Sequence, residues 1–487
     1  MARGGDDGLR LGRLFEVMAA DHGDRVVVEE HGTGVRRTFA EVADRVASMA
    51  GGIAERVQPG DRVVIAVPND YDLFLLCLAA VRAGAVAVPV NPQMRPAEID
   101  HVVADSGAAV VVRDAEEVLG PPLATAAASG PGDVAAIFYT SGTTGKPKGA
   151  QLTQQALIGN AGSLRKVSRI MRNGEVVCGL PIAHIAGFGA MLMFAALGVR
   201  MYLLPRFRPT DALDAIESRR SNAFVGVPAM YRMMLEAGAR DRDLRSVRIW
   251  ASGADAVSPD IVKAFKALGA AFNAPLLGRP VGQAWFMDGY GMVELSGGVA
   301  IHVSPPFIDL PMLPMPGCKL KVVGDDGGEV PVGEVGELVV KAPGMLKGYH
   351  GNDAATKEVL TDDGWLRTGD LAKRRRFGQV SFAGRIKHVI KHGGYSVFAV
   401  EVETTLEEHP AVAEAVVVGL PDERKGQIPA AVIRPASSSA DPAEIQAWAK
   451  EHMSDYKWPR QIRFVDELPR TATDKVRKEE LLALFDS

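Results

Sequence analysis

The stretch Tyr139-Thr-Ser-Gly-Thr-Thr-Gly-Lys-Pro-Lys-Gly149 decides how this chain is interpreted. Four Ser/Thr hydroxyls, three glycines and two lysines lie within eleven residues, directly after the apolar strand pattern DVAAIF at residues 133–138. Such a loop presents many hydrogen-bond donors and positive charge, which suits an anionic phosphate chain. It is not a Walker loop, because that motif requires glycine at position 140 and Ser or Thr at position 147, where proline stands. An ordinary surface turn rich in Ser, Thr and Gly would not usually combine all these residue types.

The chain on either side of this loop shows two kinds of pattern. Helical patterns at residues 39–55 and 71–83 alternate with Val/Ile-rich strand patterns at residues 62–67 and 85–90, and this alternation continues through residues 247–252. Continuous apolar strands separated by helices predict a parallel sheet that is buried on both faces. From about residue 318 the segments become short and glycine-punctuated, which predicts an antiparallel sheet or distorted β-barrel. We therefore expect an α/β protein whose large N-terminal domain combines parallel α/β sheets with that barrel, followed by a small mobile α+β domain.

Length, charge and cysteine usage set limits on the function. A chain of 487 residues is longer than one hydrophobic core usually sustains, so at least two domains are expected. A net charge of −4 gives no basic footprint for nucleic acid. The three cysteines are odd in number and have no metal-ligand spacing, which indicates a reducing compartment. Since the N-terminus also lacks a secretory pattern, we expect a cytoplasmic protein.

One segment has the length of a membrane span. Residues 176–199 contain no Asp, Glu, Lys or Arg, but a proline, a histidine and four glycines interrupt them. We interpret this segment as a buried strand, a loop and a small-residue helix, and we expect no transmembrane segment.

Further segments match one known family in order and spacing. The loop resembles the phosphate-binding signature of the adenylate-forming superfamily, which includes acyl-CoA synthetases, luciferases and nonribosomal adenylation domains. Residues 252–256 (SGADA) and 288–294 (DGYGMVE) resemble its adenine-binding motifs. The resemblance implies that Tyr290 stacks on adenine and that Glu294 helps to hold Mg²⁺. It assigns nucleotide contacts to Thr140, Ser141, Gly142, Thr143, Thr144, Gly145, Lys148, Gly253, Ala254, Asp255, Gly289, Tyr290, Gly291 and Met292.

The last part of the chain continues the resemblance. Asp370 looks like the family's ribose anchor, and Arg385 looks like the arginine that contacts ribose and phosphate. Lys387 stands at the family's hinge, which implies a large domain at residues 1–386 and a small one at residues 387–487. Gly393 and Gly394 resemble the loop that lines the pantetheine path of coenzyme A. Residues 469–475 (PRTATDK) look like the catalytic-lysine motif, whose last residue is Lys475.

The resemblance also indicates residues of the acyl-binding pocket. His184, within residues 181–189, occupies the place where the family has an aromatic residue or histidine at the mouth of the acyl pocket; a histidine satisfied in the core is the alternative. Residues 225–231 are expected to form more of the pocket wall, with Pro228 ending a strand. The apolar run at residues 191–194 favours fatty acids of medium or long chain over aromatic acids.

The resemblance implies a two-step reaction with ATP, Mg²⁺ and coenzyme A. The carboxylic acid and ATP give acyl-AMP and pyrophosphate, and the CoA thiolate then displaces AMP. Catalytic roles fall on Lys475, Glu294 and His184. The hinge would withdraw Lys475 and bring in the glycine loop between the two steps. A homodimer is compatible with the sequence, which does not fix the oligomeric state.

Val293 is the main departure from the family pattern, which usually has threonine there. The missing hydroxyl would donate a hydrogen bond to a phosphate oxygen, a contact worth about 1.5–3 kcal/mol. Adenylation would then be slower by about ten- to a hundredfold, unless another donor compensates. Asp474, Ala399 and His388 are milder departures.

Three other functions remain as alternatives. An amino-acid adenylation module would place an aspartate near residues 181–189, and none occurs there. An acyl-AMP ligase that hands the acyl group to a carrier protein would typically carry an inserted segment, for which this chain leaves little room. A catalytically weak nucleotide-binding homologue has Val293 as its only support.

Overall fold

The computed structural model describes residues 9–140, 147–164, 174–255, 257–274, 279–306, 310–470 and 476–485. The chain forms two compact units. The first comprises residues 1–318 and 341–358, and the second comprises residues 319–340 and 359–487. The boundary predicted at residue 387 is a different kind of division, a hinge, and it stays a prediction.

The helices of the described residues are α1 (Leu14–His22), α2 (Phe39–Ala54), α3 (Tyr71–Arg82), α4 (Pro96–Ser106), α5 (Gln154–Leu164), α6 (Ile185–Leu197), α7 (Pro209–Arg219), α8 (Pro228–Glu236), α9 (Pro259–Leu268), α10 (Asp353–Val359), α11 (Ala399–Glu407), α12 (Pro442–His452) and α13 (Lys478–Leu482). The strands of the first half are β1 (Val26–Glu30), β2 (Arg36–Thr38), β3 (Arg62–Ile65), β4 (Val86–Pro89), β5 (Val110–Val112), β6 (Val134–Thr140), β7 (Lys148–Thr153), β8 (Glu175–Cys178), β9 (Arg200–Leu203), β10 (Ala223–Val225), β11 (Ile249–Gly253), β12 (Phe272–Ala274) and β13 (Arg279–Val281). Those of the second half are β14 (Trp285–Met292), β15 (Gly297–Ser304), β16 (Leu313–Pro314), β17 (Lys319–Val323), β18 (Val335–Lys341), β19 (Gly348–Tyr349), β20 (Leu366–Arg374), β21 (Val380–Arg385), β22 (Val389–His392), β23 (Tyr395–Phe398), β24 (Val412–Asp422), β25 (Gly426–Pro435) and β26 (Gln461–Phe464).

A nine-stranded sheet in the order β16-β15-β14-β11-β10-β8-β9-β1-β2 forms one half of the first unit. The six neighbouring strands from β14 to β1 are parallel, and β15, β16 and β2 are antiparallel additions. One face buries an aromatic cluster of Phe224, Tyr231, Trp250, Phe265 and Phe286 between strands β10, β11, β14 and helices α8 and α9. The predicted parallel sheet is therefore present, with an antiparallel edge.

A six-stranded sheet in the order β19-β7-β6-β4-β3-β5 forms the other half of this unit. Strands β6, β4, β3 and β5 are parallel, whereas β7 folds back antiparallel to β6 with Thr140 opposite Lys148. The predicted phosphate loop therefore connects the two strands of a hairpin. Phe138, just before the loop, is buried edge-on against Phe188 of α6, which packs in the same way on Phe74 of α3. This packing fixes the start of the loop to the core.

The second unit contains two smaller sheets. Strands β17, β18, β20 and β21 form a four-stranded sheet in which β18, β20 and β21 are antiparallel, as the glycine-punctuated pattern after residue 318 predicts. Strands β23, β22, β25 and β24 form the other sheet, and β26 adds in parallel to β25. Helices α11 and α12 cover this sheet with Val402, Leu406 and Ile445. This is the α+β arrangement expected from residues 400–453.

Two details of the sequence interpretation can be compared directly. Residues 176–199 form strand β8, a loop and helix α6, as expected, and in the described residues no helix is long and apolar enough to span a membrane. Pro228 does not end a strand. It is the first residue of α8, because proline lacks a backbone N–H and is well tolerated in the first turn of a helix, whereas β10 has already ended at Val225.

Candidate active site

Parallel strands of the large sheet bring several predicted segments to one edge. The carboxyl ends of β8, β10, β11 and β14 lie side by side, because the register pairs Cys178 with Val225, Val225 with Ala251, and Gly253 with Gly289. The segment after β8 leads to His184, and the two predicted adenine motifs begin within the last residues of β11 and β14. Ligands of open α/β sheets bind at such carboxyl edges. The sheet order therefore places both adenine motifs on adjacent strands.

The backbone of the predicted adenine motifs is unusual at two positions. A side chain on Gly291 would lie 1.9 Å from the carbonyl oxygen of Gly297, so only glycine permits this close approach of β15. Ala254 has a φ of +72°, a left-handed conformation that L-residues with a Cβ rarely adopt. Strained residues of this kind often accompany functional sites. The strain at Ala254 lies within the predicted adenine floor.

The two ends of the phosphate loop are held by the β6–β7 hairpin. The Thr140 hydroxyl donates to the carbonyl oxygen of Lys148, and both side chains are partly exposed. The Lys148 ammonium lies 5.4 Å from the ring centroid of Tyr349, which is a cation–π distance. The predicted contacts Ser141, Gly142, Thr143, Thr144 and Gly145 lie outside the described residues.

Glu294, the predicted metal ligand, is tied to a tyrosine that the sequence interpretation missed. Its side chain is buried, and its Oε1 accepts a hydrogen bond of 2.8 Å from the Tyr349 hydroxyl. Burial and the Glu294 carboxylate raise the pKa of Tyr349, so the phenol stays protonated and donates. The described residues contain no group of three or more metal-ligating side chains. A single carboxylate still fits Mg²⁺, which keeps waters and takes phosphate oxygens as its other ligands.

Asp288 was quoted in the motif but given no role. It lies beside Ser252 on the neighbouring strand, and burial, with the charge of Asp255 as a smaller cause, raises its pKa to about 7. Among the described residues, no group hydrogen-bonds to the buried Asp288 Oδ1 or the buried Ser252 Oγ. Buried polar atoms of this kind normally have a partner, so a bound ligand or water is the natural candidate.

His184 is the N-cap of α6. Its Nδ1 accepts a hydrogen bond from the backbone N–H of Ala186, and the side chain is partly exposed rather than enclosed in the core. The helix that follows is tightly seated, because a side chain on Gly187 would lie 2.0 Å from the carbonyl oxygen of Pro181. His184 therefore has a structural role as the cap of α6. The proposed role of His184 at the acyl pocket stays a prediction.

Asp370 and Arg385 lie together in the second unit. They face each other across the β20–β21 pair, and Arg385 Nε is 2.9 Å from Asp370 Oδ1. Asp370 is 3% exposed, and its backbone N–H donates to the Thr368 hydroxyl, which in turn donates to the carbonyl oxygen of Leu338. The buried carboxylate is thus held in place by neighbouring strands. The pairing supports a joint role, which the sequence alone did not specify.

The paired glycines form a turn of their own. Gly393 and Gly394 have φ values of +57° and +86° and connect β22 to β23, where His392 pairs with Tyr395. A two-residue hairpin turn with positive φ at both positions favours glycine. This local requirement accounts for both glycines, and their proposed contact with pantetheine remains untested. Lys475 lies outside the described residues.

Comparison with known proteins supplies the class. The model of the AMP-binding enzyme family matches residues 15–128 and 114–350, and that of the AMP-binding enzyme C-terminal domain matches residues 401–475. A feruloyl-CoA synthase of Amycolatopsis sp is 33% identical over 95% of this chain and 97% of its own length. A long-chain-fatty-acid–CoA ligase of Mycobacterium tuberculosis is 29% identical over 93% of this chain and 94% of its own length. The crystal structure of ATP-bound MatB from Rhodopseudomonas palustris superposes with a TM-score of 0.85 at 28% identity, covering 98% of this chain and 99% of that one.

The chain therefore belongs to the AMP-binding enzyme family, within the adenylate-forming superfamily. The family match and the CoA-ligase relatives together support an AMP-forming acid–CoA ligase.

Proposed function

We propose that this protein activates a carboxylic acid with an apolar acyl group as acyl-AMP and transfers the acyl group to coenzyme A. The observation that carries the proposal is the convergence of the phosphate-loop hairpin, the adenine motifs and Glu294 within the first unit, where the Tyr349 hydroxyl connects Glu294 to the hairpin side. Nucleotide-binding groups of three kinds, an aromatic face, a donor-rich loop and a hard carboxylate, then serve one ATP.

In the first step a carboxylate oxygen attacks the α-phosphorus of ATP, an O–P bond forms, and pyrophosphate leaves. Tyr290 offers its ring to adenine, the Thr140 hydroxyl turns from the Lys148 carbonyl oxygen to donate to a phosphate oxygen, and Lys148 supplies positive charge. Glu294 would hold Mg²⁺, which neutralises charge on the phosphates when it is bound. Lys475 is proposed to stabilise the charge that develops as two anions approach.

In the second step the CoA thiolate attacks the acyl carbonyl carbon, a C–S bond forms, and AMP leaves with the oxygen that bridged carbon and phosphorus. Gly393 and Gly394 are proposed to line the path of the pantetheine arm. Asp370 is proposed to accept hydrogen bonds from the ribose hydroxyls, with Arg385 beside it. The hinge at Lys387, the catalytic part of His184 and a homodimeric assembly belong to the same proposal.

The acid has two candidate classes. A fatty acid is the class expected from the sequence, and the fatty-acid–CoA ligase among the relatives supports it. In the apolar run at residues 191–194, Met191, Leu192 and Phe194 are buried on helix α6, and their contact with an acyl chain stays a prediction. The similarity to a feruloyl-CoA synthase favours an aromatic acid instead. Both classes present an apolar acyl group.

A substrate panel tests the function. Purified protein is incubated with ATP, Mg²⁺, CoA and fatty acids of increasing length or aromatic acids, and AMP and free CoA thiol are measured together. We expect AMP formation that depends on the acid and equals the loss of thiol. Acyl-AMP formation without thiol loss would instead favour transfer to a carrier protein. ATP binding in calorimetry without AMP from any acid would favour a catalytically weak homologue.

A further inference from the structure

Tyr349 connects two parts of the first unit that are distant in sequence. It is the last residue of β19, at the edge of the six-stranded sheet, whereas Glu294 follows β14 of the nine-stranded sheet. Their hydrogen bond joins Tyr349 Oη to Glu294 Oε1 over 2.8 Å, and the two residues are 8% and 7% exposed. A buried hydrogen bond to a charged group is stronger and more directional than one at the surface.

The backbone on both sides of this bond is fixed. Tyr349 pairs with Ala150 of β7, and its N–H donates to the Thr356 hydroxyl over 2.9 Å. The carbonyl oxygen of Glu294 accepts a hydrogen bond of 2.7 Å from the N–H of Leu346. The side chains of Tyr349 and Glu294 therefore meet from two anchored segments, and the tyrosine can hold the carboxylate in one orientation.

The same ring also faces the phosphate loop. Lys148 begins β7, next to the strand that carries Tyr349, and its ammonium lies 5.4 Å from the Tyr349 ring centroid. One aromatic side chain thus contacts the cation at the end of the loop with its face and the carboxylate after β14 with its hydroxyl. It limits the positions of both charges.

We propose that Tyr349 is a positioning residue that orients Glu294 so that one carboxylate oxygen is occupied and the other is presented to the nucleotide's metal ion. This proposal rests on the proposed function, in which Glu294 holds Mg²⁺. Within the described part of the chain, no side chain or backbone group hydrogen-bonds to Glu294 Oε2. Glu294 would then bind the metal through one oxygen, which matches the strict octahedral geometry of Mg²⁺ better than a bidentate carboxylate.

The substitution Tyr349→Phe removes the hydroxyl and keeps the ring over Lys148. Mn²⁺ serves as the probe, and its binding to the protein in the presence of ATP and the absence of any acid is measured by electron paramagnetic resonance. We expect Mn²⁺ affinity to fall about tenfold, as is typical when an outer partner of a metal ligand is removed.

Tyr202→Phe is the matched control. Tyr202 also contacts a cation through its ring, because Arg219 Cζ lies 4.0 Å from the ring centroid. Its hydroxyl is 3.0 Å from His31 Nδ1, and Tyr202 lies on β9, which pairs with β1 in the large sheet. This variant should bind Mn²⁺ as the wild type does. Thermal unfolding of both variants shows whether a loss of folded stability, rather than the loss of the hydrogen bond to Glu294, lowers the Mn²⁺ affinity.

Two outcomes would overturn the proposal. In the first, Tyr349→Phe binds Mn²⁺ within twofold of the wild type. In the second, Glu294→Gln leaves Mn²⁺ affinity intact, so that no ligand needs orientation. The first outcome leaves the proposed function unaffected, whereas the second removes the metal-binding role that it gives to Glu294. The acid–CoA ligase activity itself fails only if the wild-type protein forms no AMP and no thioester from any acid.

Discussion

Val293→Thr should increase the rate of acyl-AMP formation. Val293 is 9% exposed and begins the short turn Val293–Leu295, which places it between the adenine motif and Glu294. Its carbonyl oxygen accepts a hydrogen bond of 2.9 Å from the N–H of Ser296. The backbone at position 293 is therefore fixed, and a threonine there would place its hydroxyl in a defined position. Threonine has nearly the same shape as valine. A hydrogen bond to a charged phosphate oxygen contributes about 1.5–3 kcal/mol, and about 1.4 kcal/mol corresponds to a tenfold rate change. The expected gain is therefore about ten- to a hundredfold.

Acid-dependent ATP–pyrophosphate exchange measures this rate without the thioester step. Before ATP binds, the new hydroxyl is mostly desolvated, so we expect the variant to lose about 1–2 kcal/mol of unfolding free energy. Val412→Thr is the control, because Val412 is 7% exposed at the start of β24 in the second unit and should show only the loss of stability. An exchange rate within twofold of the wild type, with ATP still bound, would refute the reasoning and show that position 293 does not donate to a phosphate.

Two further predictions concern the same sheet edge. Ala254→Gly should raise the unfolding free energy by about 1 kcal/mol in urea denaturation, because glycine adopts the observed positive φ without the steric penalty of a Cβ; a loss of stability would contradict the left-handed conformation. Asp288 has a folded-state pKa of about 7, above its ordinary value of 3.8, so the folded protein binds this proton more tightly and loses stability as the pH rises from about 4 to 7. Asp288→Asn should remove that loss, so that its unfolding free energy exceeds that of the wild type by about 4 kcal/mol at pH 8, since the pKa is raised from 3.8 to about 7, but by little at pH 4; equal pH slopes for the two proteins would show that Asp288 titrates normally.

The local patterns of the sequence predicted much of the first unit. The helices expected at residues 39–55 and 71–83 are α2 and α3. Their first residues agree with the prediction, because each helix begins directly after a capping side chain, Thr38 or Asp70, and each helix ends one residue earlier than expected. The Val/Ile runs became parallel strands because only a strand buried on both faces can bury every residue of such a run. The two adenine motifs begin within the ends of adjacent parallel strands, as a nucleotide site of this type requires.

Other features had no local signal. Tyr349 and Glu294 are 55 residues apart, and the pairing of β19 with β7 and the hydrogen bond from the Leu346 N–H to the Glu294 carbonyl oxygen bring the tyrosine to the carboxylate. Strand register, which cannot be read from either segment alone, places Arg385 opposite Asp370. Alanine is common in every kind of element, so the left-handed backbone at Ala254 could not be inferred from its residue type. These features depend on long-range packing, which overrides local preference.

Isotope transfer tests the formation of an acyl-adenylate most directly. The acid is supplied with both carboxylate oxygens labelled with ¹⁸O, together with ATP and CoA, and the products are analysed by mass spectrometry. Since a carboxylate oxygen attacks the α-phosphorus and leaves with AMP, we predict one ¹⁸O atom in each AMP and none in pyrophosphate. Label in inorganic phosphate, with ADP as the nucleotide product, or AMP free of label would contradict the account.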